Sequence, residues 1–100
     1  MSRYTSGRAK EYAARDHLAK TARLVVRSAG SKGLVDLVAF FGMTICLVQV
    51  KYTRRPGNAW IDKNWRALVK LQQTGRFPEN VRAVAYVYRF GKPQPEIHSA

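Results

Sequence analysis

Two apolar segments separated by a short turn constrain the fold of this chain more than any other feature. The segments span residues 35–41 and 44–52, and Gly42 lies in the corner between them. Such a corner predicts two strands folded into a β-hairpin. Because side chains alternate along a strand, the second segment is apolar on both faces for most of its length, which is typical of a strand at the centre of a sheet.

A polar group interrupts the hairpin near one end. Asp36 opens the first segment, and Gln49 and Lys51 share a face of the second, about 7 Å apart along the strand. Pairing of the two strands would place Asp36 next to Gln49 and Lys51, so that a carboxylate, an amide oxygen and an ammonium converge. Hard cations such as Mg²⁺ bind oxygen ligands, and a nearby ammonium can orient a water or offset charge on a phosphate. The pattern therefore predicts phosphodiester hydrolysis. Taken one at a time, Lys51 is more typical of a solvated residue at a strand end and Gln49 of a hydrogen-bonded amide in the core.

The charge of the chain indicates the class of its partner. Its 100 residues carry 18 Lys and Arg against 6 Asp and Glu, a formal charge of +12. This excess in one small domain is typical of proteins that bind polyanions, above all nucleic acids. An anionic membrane surface is the competing interpretation. We expect no membrane partner, because the sequence has neither a run of about eighteen apolar residues nor an isolated basic amphipathic helix.

Cysteine and histidine usage narrows the chemistry further. Cys46 is the single cysteine and lies in the apolar hairpin, so no internal disulfide can form and an intracellular setting is the default expectation. His17 and His98 are too far apart in sequence to suggest a zinc site. We also expect no small-molecule organic cofactor.

Periodicity along the chain predicts a single domain over residues 1–100 with the element order αβββαβ. The expected elements are a mobile arm at residues 1–5, a helix from a Ser6 cap to about residue 22, a short strand at 24–28, the two hairpin strands, a helix over 59–74 capped by Asn58, a strand at 81–90, and a tail or short edge strand at 92–100. Trp60 and Trp65 of the second helix are expected in the core or at a subunit contact more than in base stacking.

Charged residues of the first helix form a second group of candidates. Glu11 falls on the apolar stripe that contains Leu18, where either a cation or an ion pair with Arg8 or Arg15 would stabilise it. Arg8 and Lys10 lie in the first turns of the helix, where positive charge opposes the macrodipole. Contact with a phosphate would explain that placement.

Two basic loops flank the hairpin. Residues 29–33 contain two glycines and Lys32, and such a loop either lets a phosphate approach its amides or simply connects two strands. Arg54 and Arg55 lie in the turn that follows the second hairpin strand. Both loops are therefore candidates for contact with a polyanion.

Segments in a fixed order resemble motifs of the archaeal Holliday-junction resolvases, members of the PD-(D/E)xK nuclease superfamily. They are the Gly-x-x-x-Glu of residues 7–11, VVRSAGS at 25–31, VDLVA at 35–39 and CLVQVK at 46–51. The resemblance covers roughly residues 3–55. It implies an α/β fold with a restriction-endonuclease-like core, in which helices flank a central mixed β-sheet.

The resemblance also implies roles for individual residues. Asp36 and Glu11 would bind Mg²⁺, for which Mn²⁺ can substitute, with the backbone carbonyl of Val50 as a further ligand. Lys51 would assist the attacking water, and Ser31 would lie near the scissile phosphate. The candidates for DNA contact are Arg8, Lys10, Arg27, Ser28, Lys32, Arg54 and Arg55.

The function implied is the cutting of two strands of like polarity across a four-way DNA junction by a homodimer. Gln49 departs from the family pattern, which has Glu or Asp at this metal-binding position. An amide oxygen can still ligate, but the loss of a negative charge should weaken metal binding. Two alternatives therefore stay open: another DNA nuclease of the superfamily, and a non-catalytic or weakly active protein that binds junctions or other nucleic acids.

Overall fold

The computed structural model describes residues 3–28 and 34–100, with side chains from residue 8 onward. The elements in chain order are α1 (Arg3–Ala19), β1 (Leu24–Arg27), β2 (Leu37–Phe40), β3 (Ile45–Thr53), α2 (Lys63–Gln73), β4 (Val81–Arg89) and β5 (Glu96–Ser99). The predicted order αβββαβ is confirmed, with β5 as a short strand in the tail. None of the helices in these two ranges is long and apolar enough to cross a membrane.

The strands form one mixed sheet in the spatial order β1-β2-β3-β4-β5. The β1-β2, β2-β3 and β4-β5 pairs are antiparallel, whereas β3 and β4 are parallel. Parallel neighbours need a crossover connection, and α2 supplies it between β3 and β4. The predicted mixed sheet flanked by helices is therefore confirmed.

The hairpin forms with the expected corner. Leu37 pairs with Val48, and the Phe41 N–H donates to the Thr44 carbonyl at 2.8 Å. Leu37, Val48 and Ala39 are fully buried on the face of the sheet that α1 covers. A slip of one residue would move these side chains to the other face, so burial fixes the register that determines where Asp36 lies.

The hydrophobic core has two layers, one on each face of the sheet. The first packs α1 against the sheet through Ala14, Leu18, Leu37, Ala39, Val48, Tyr86 and Tyr88. The second packs α2 and the segment before it through Trp60, Trp65, Leu68, Ala83, Ala85 and Val87. The tryptophans are only 6% and 5% exposed, which confirms the core assignment over base stacking.

The first helix differs from its predicted limits. It begins at Arg3, so residues 3–5 belong to the helix and not to a mobile arm, and Ser6 lies within it and does not cap it. Arg, Tyr and Thr do not break a helix, and tertiary packing of Ala14 and Leu18 favours its extension. The helix ends at Ala19, before the predicted residue 22.

The second helix also begins elsewhere. It starts at Lys63 with Asp62 as its N-cap, not at residue 59 with Asn58 as cap. An Asp62 carboxylate oxygen accepts a hydrogen bond from the Trp65 N–H at 3.0 Å, which satisfies an otherwise unpaired donor of the first turn. The preceding segment instead folds into a turn, in which the Ile61 N–H donates to the Asn58 carbonyl at 3.0 Å and Trp60 reaches the core.

Candidate metal centre and DNA interface

The hairpin places Asp36 beside Val48 and Val50 of β3. The Asp36 N–H donates to the Val48 carbonyl at 2.9 Å, and its carboxylate oxygen Oδ2 accepts from the Val50 N–H at 2.8 Å. These two bonds bracket Gln49 on the neighbouring strand. The Asp36 carboxylate is thus oriented by the backbone of β3 just before β2 begins.

Gln49 is a buried amide of which only one end is paired. The residue is 2% exposed, and its Nε2 donates to the Leu34 carbonyl at 2.7 Å. Because a carbonyl oxygen only accepts, the amide nitrogen must face Leu34. The Oε1 atom is then buried with no hydrogen-bond partner among the described residues. A buried polar atom left unpaired costs roughly 1–3 kcal/mol, and a cation would satisfy it.

Lys51 pairs with Asp62, an acid that is not among the predicted site residues. Its Nζ forms an ion pair with Asp62 Oδ2, and the Lys51 side chain is 18% exposed. Burial by itself would raise the pKa of Asp62, but hydrogen bonds from Lys51 and from the Trp65 N–H hold that pKa below its usual value. An aspartate immediately before a helical apolar stripe is a capping signal, and that signal would have identified the residue.

Glu11 approaches the site from α1. Its Oε1 lies 3.3 Å from Arg27 Nε, so Arg27 is its ion-pair partner; Arg15, one of the two expected partners, pairs with Asp16 instead. Burial, and next the negative charge of Asp36, raise the pKa of Glu11, and the Arg27 charge opposes them in part. The two carboxylates are therefore close enough to repel each other, a repulsion that a cation between them would relieve.

The donor set fits a hard divalent cation. It comprises the carboxylates of Asp36 and Glu11, the unpaired Gln49 Oε1, and the Val50 carbonyl, which lies on the Asp36 side of β3 because the N–H and C=O of one strand residue point the same way. No group of three or more His, Cys, Asp or Glu residues gathers in the described part of the chain. All four donors are oxygens, the ligand atoms that Mg²⁺ and Mn²⁺ prefer, but only the two carboxylates carry a negative charge.

Two of the basic candidates, Arg27 and Lys10, make contacts on the α1 side of the sheet. Besides pairing with Glu11, Arg27 lies 5.1 Å from the centre of the Tyr12 ring. The neighbouring Ser28 donates its N–H to the Asp36 carbonyl at 2.9 Å. On α1, Lys10 lies over two tyrosine rings, 5.4 Å from Tyr52 and 5.3 Å from Tyr88, contacts that hold its charge above the sheet.

The loop after β3 presents the second basic pair. Arg54 and Arg55 are exposed, and the Arg54 guanidinium lies 4.5 Å from the centre of the Phe90 ring. Arg89 fixes this loop by donating to the Arg55 carbonyl at 3.1 Å and the Gly57 carbonyl at 2.8 Å. Hydrogen bonds from Arg89 therefore fix the backbone that carries the two exposed arginines.

The structure thus brings Glu11, Asp36, Val50, Arg27 and Ser28 together near the start of β2. Gln49 and Lys51 flank Val50 along β3 and share the α2 side of that strand. Arg8 is exposed on α1 and lowers the pKa of Glu11 to a small extent through its charge. Ser31 and Lys32, with the rest of the predicted loop at 29–33, lie outside the described residues.

The order of the elements and the mixed sheet are shared with the solved structure of a Holliday junction resolvase. That structure is Hjc of Archaeoglobus fulgidus, an archaeal hyperthermophile. This chain is similar to Hjc with a TM-score of 0.61 and 21% identity over 89% of its own length and 72% of that of Hjc. At this identity the likeness shows the fold. No protein-family model matches the chain, and a search of curated proteins gives no match.

Proposed function

We propose that this protein is a structure-selective endonuclease that resolves four-way (Holliday) DNA junctions by Mg²⁺-dependent hydrolysis of phosphodiester bonds. The observation that carries the proposal is the Asp36 carboxylate bound to the N–H of Val50, the residue after Gln49, whose buried Oε1 has no partner among the described residues. The shared fold with Hjc and the charge of +12 support the same conclusion. From this substrate we infer an intracellular site of action.

Each proposed role follows from the chemistry of the group. Asp36, Glu11, Gln49 Oε1 and the Val50 carbonyl would hold the cation, Mg²⁺ or Mn²⁺, which when bound supplies positive charge to the phosphate. Lys51 would orient the attacking water through its ammonium. Ser31 is proposed to bond to the scissile phosphate.

Recognition of the junction would depend on phosphate contacts and on the shape of the basic surface. Arg8, Lys10, Arg27, Ser28, Lys32, Arg54 and Arg55 are the proposed contacts. Because such contacts release counterions, binding should weaken steeply with salt. We further propose a homodimer, since two symmetric cuts need two sites. Leu24 and Val26, 57% and 45% exposed on the face of β1 turned away from α1, are apolar surface that a second copy could cover.

One observation favours a second candidate, a protein that binds junctions without cutting them. Gln49 contributes no charge where a carboxylate would attract the cation, and its Nε2 is already satisfied by the Leu34 carbonyl. A site with only two acids would hold Mg²⁺ weakly. This candidate predicts tight junction binding that is insensitive to metal.

The test is incubation of purified protein with a labelled four-way junction, a linear duplex of the same sequence and single strands, each with Mg²⁺, Mn²⁺ or chelator. The proposal predicts paired cuts in the junction, with metal, at a much higher rate than in the duplex. Equal cutting of junction and duplex would indicate another nuclease. Tight junction binding without cutting under any metal would establish the non-catalytic alternative.

A further inference from the structure

The N-cap of α2 connects the core of the protein to the ammonium of Lys51. Asp62 uses both carboxylate oxygens: Oδ1 accepts from the Trp65 N–H at 3.0 Å, and Oδ2 accepts from Lys51 Nζ. Trp65 and Leu68, on the same helix, are 5% and 1% exposed in the second core layer. A helix anchored in the core by Trp65 and Leu68 therefore fixes the carboxylate, and the carboxylate fixes the end of a flexible side chain.

We propose that Asp62 is a positioning residue that holds the Lys51 ammonium where it can act on the attacking water. This inference rests on the proposed nuclease function. An ammonium has three N–H donors, so after the bond to Asp62 others stay available for a water or a phosphate oxygen. Lysine has a long flexible stem, and small misplacement of a group in an active site greatly lowers the rate. The proposed role therefore concerns the chemical step and not the affinity for DNA.

The ion pair can be separated from the cap by one substitution. Asp62→Asn removes the charged partner of Lys51 but keeps a side-chain oxygen for the Trp65 N–H, and asparagine is as good an N-cap as aspartate. The matched control is Asp16→Asn, which removes the same charge from an exposed side chain that pairs only with its neighbour Arg15 among the described contacts. The control corrects for the general effect of added positive charge on DNA binding.

The measurement is kcat and KM for a four-way junction with Mg²⁺, together with Tm. Asp62→Asn should lower kcat by about tenfold with KM and Tm nearly unchanged, because misplacement of a reacting group acts on the chemical step. Asp62→Glu, which restores a carboxylate, should recover part of that loss, and Asp16→Asn should match the wild type. An unchanged kcat in Asp62→Asn, an equal fall in Asp16→Asn, or a rise in KM that accounts for the whole effect would overturn the inference.

A second readout needs no activity. The rate at which an amine-reactive anhydride modifies Lys51, followed by mass spectrometry, should rise in Asp62→Asn and not in Asp16→Asn. Equal rates in all three proteins would overturn the ion pair in solution and with it the positioning role. A wild-type protein that cuts no junction would refute the proposed function. A wild type that cuts only as fast as Asp62→Asn would instead refute the positioning role alone.

Discussion

Replacing Gln49 with glutamate tests the candidate metal centre without changing its size. The side chain is 2% exposed, and its Nε2 donates to the Leu34 carbonyl at 2.7 Å. An ionised glutamate at this position has no donor for that carbonyl, and it would bring a third negative charge near Asp36 and Glu11. Without a cation, the variant should therefore be less stable than the wild type.

The size and pH dependence of the loss follow from this geometry. Removing one partner of a buried hydrogen bond costs roughly 1–3 kcal/mol, so we expect a loss of about 2 kcal/mol at pH 8. In a domain of this size, that loss lowers Tm by roughly 8–16 °C. A protonated carboxyl can donate to the Leu34 carbonyl, so the pKa of the introduced group is raised in the folded protein. The loss of stability is thus absent below the pKa of the introduced carboxyl in the unfolded chain, about 4.3, and grows as pH rises through its higher pKa in the folded protein.

Urea unfolding followed by circular dichroism measures this directly. The variant and the wild type are compared with chelator at pH 5 and pH 8, and then at pH 8 with Mg²⁺ or Mn²⁺. We expect a larger loss at pH 8, recovery by either metal, and tighter metal binding than in the wild type. A variant as stable as the wild type in chelator, or a loss that neither acid nor metal relieves, would refute the reasoning.

Other predictions concern the acids and the basic surface. Asp36→Asn keeps an oxygen that can accept from the Val50 N–H, so junction affinity in a gel-shift assay should change less than about threefold. Cleavage by this variant should be lost, and cutting at the wild-type rate would disprove the metal-binding role of Asp36. The pKa of Glu11 is raised in the folded protein, so the stability of the wild type falls as the pH rises through that raised pKa. In chelator, the Glu11→Gln variant should therefore have a higher Tm than the wild type at pH 8 but not at pH 4. Arg27→Ala should weaken junction binding and reduce the slope of log K against log salt by about one; an unchanged slope would exclude a phosphate contact.

The part of the fold that the sequence predicts is the part fixed by burial. Leu37, Ala39 and Val48 are buried on one face, so the hairpin can adopt only the register that pairs Leu37 with Val48 and sets Asp36 beside Val50. The approach of Glu11 to the same region follows from its place on a stripe with Ala14 and Leu18. Periodicity thus predicts side chains that share a face with the core.

Helix limits and ion-pair partners could not be predicted in the same way. The start of α2 depends on a competition between Asn58 and Asp62 as caps, and Asp62 prevails because it bonds both Trp65 and Lys51. Similarly, Glu11 pairs with Arg27 on β1, a contact across elements that helical spacing does not reveal. Such partners depend on tertiary geometry, which local sequence does not specify.

Cleavage as a function of metal concentration tests the central claim most directly. The rate of cutting of a labelled four-way junction, with protein in excess, is measured against Mn²⁺ and Mg²⁺ for the wild type and Asp36→Asn. The claim predicts a saturable, metal-dependent rate in the wild type and none in the variant. A wild type that binds the junction but does not cut it at any metal concentration, or a variant that cuts equally well, would contradict it.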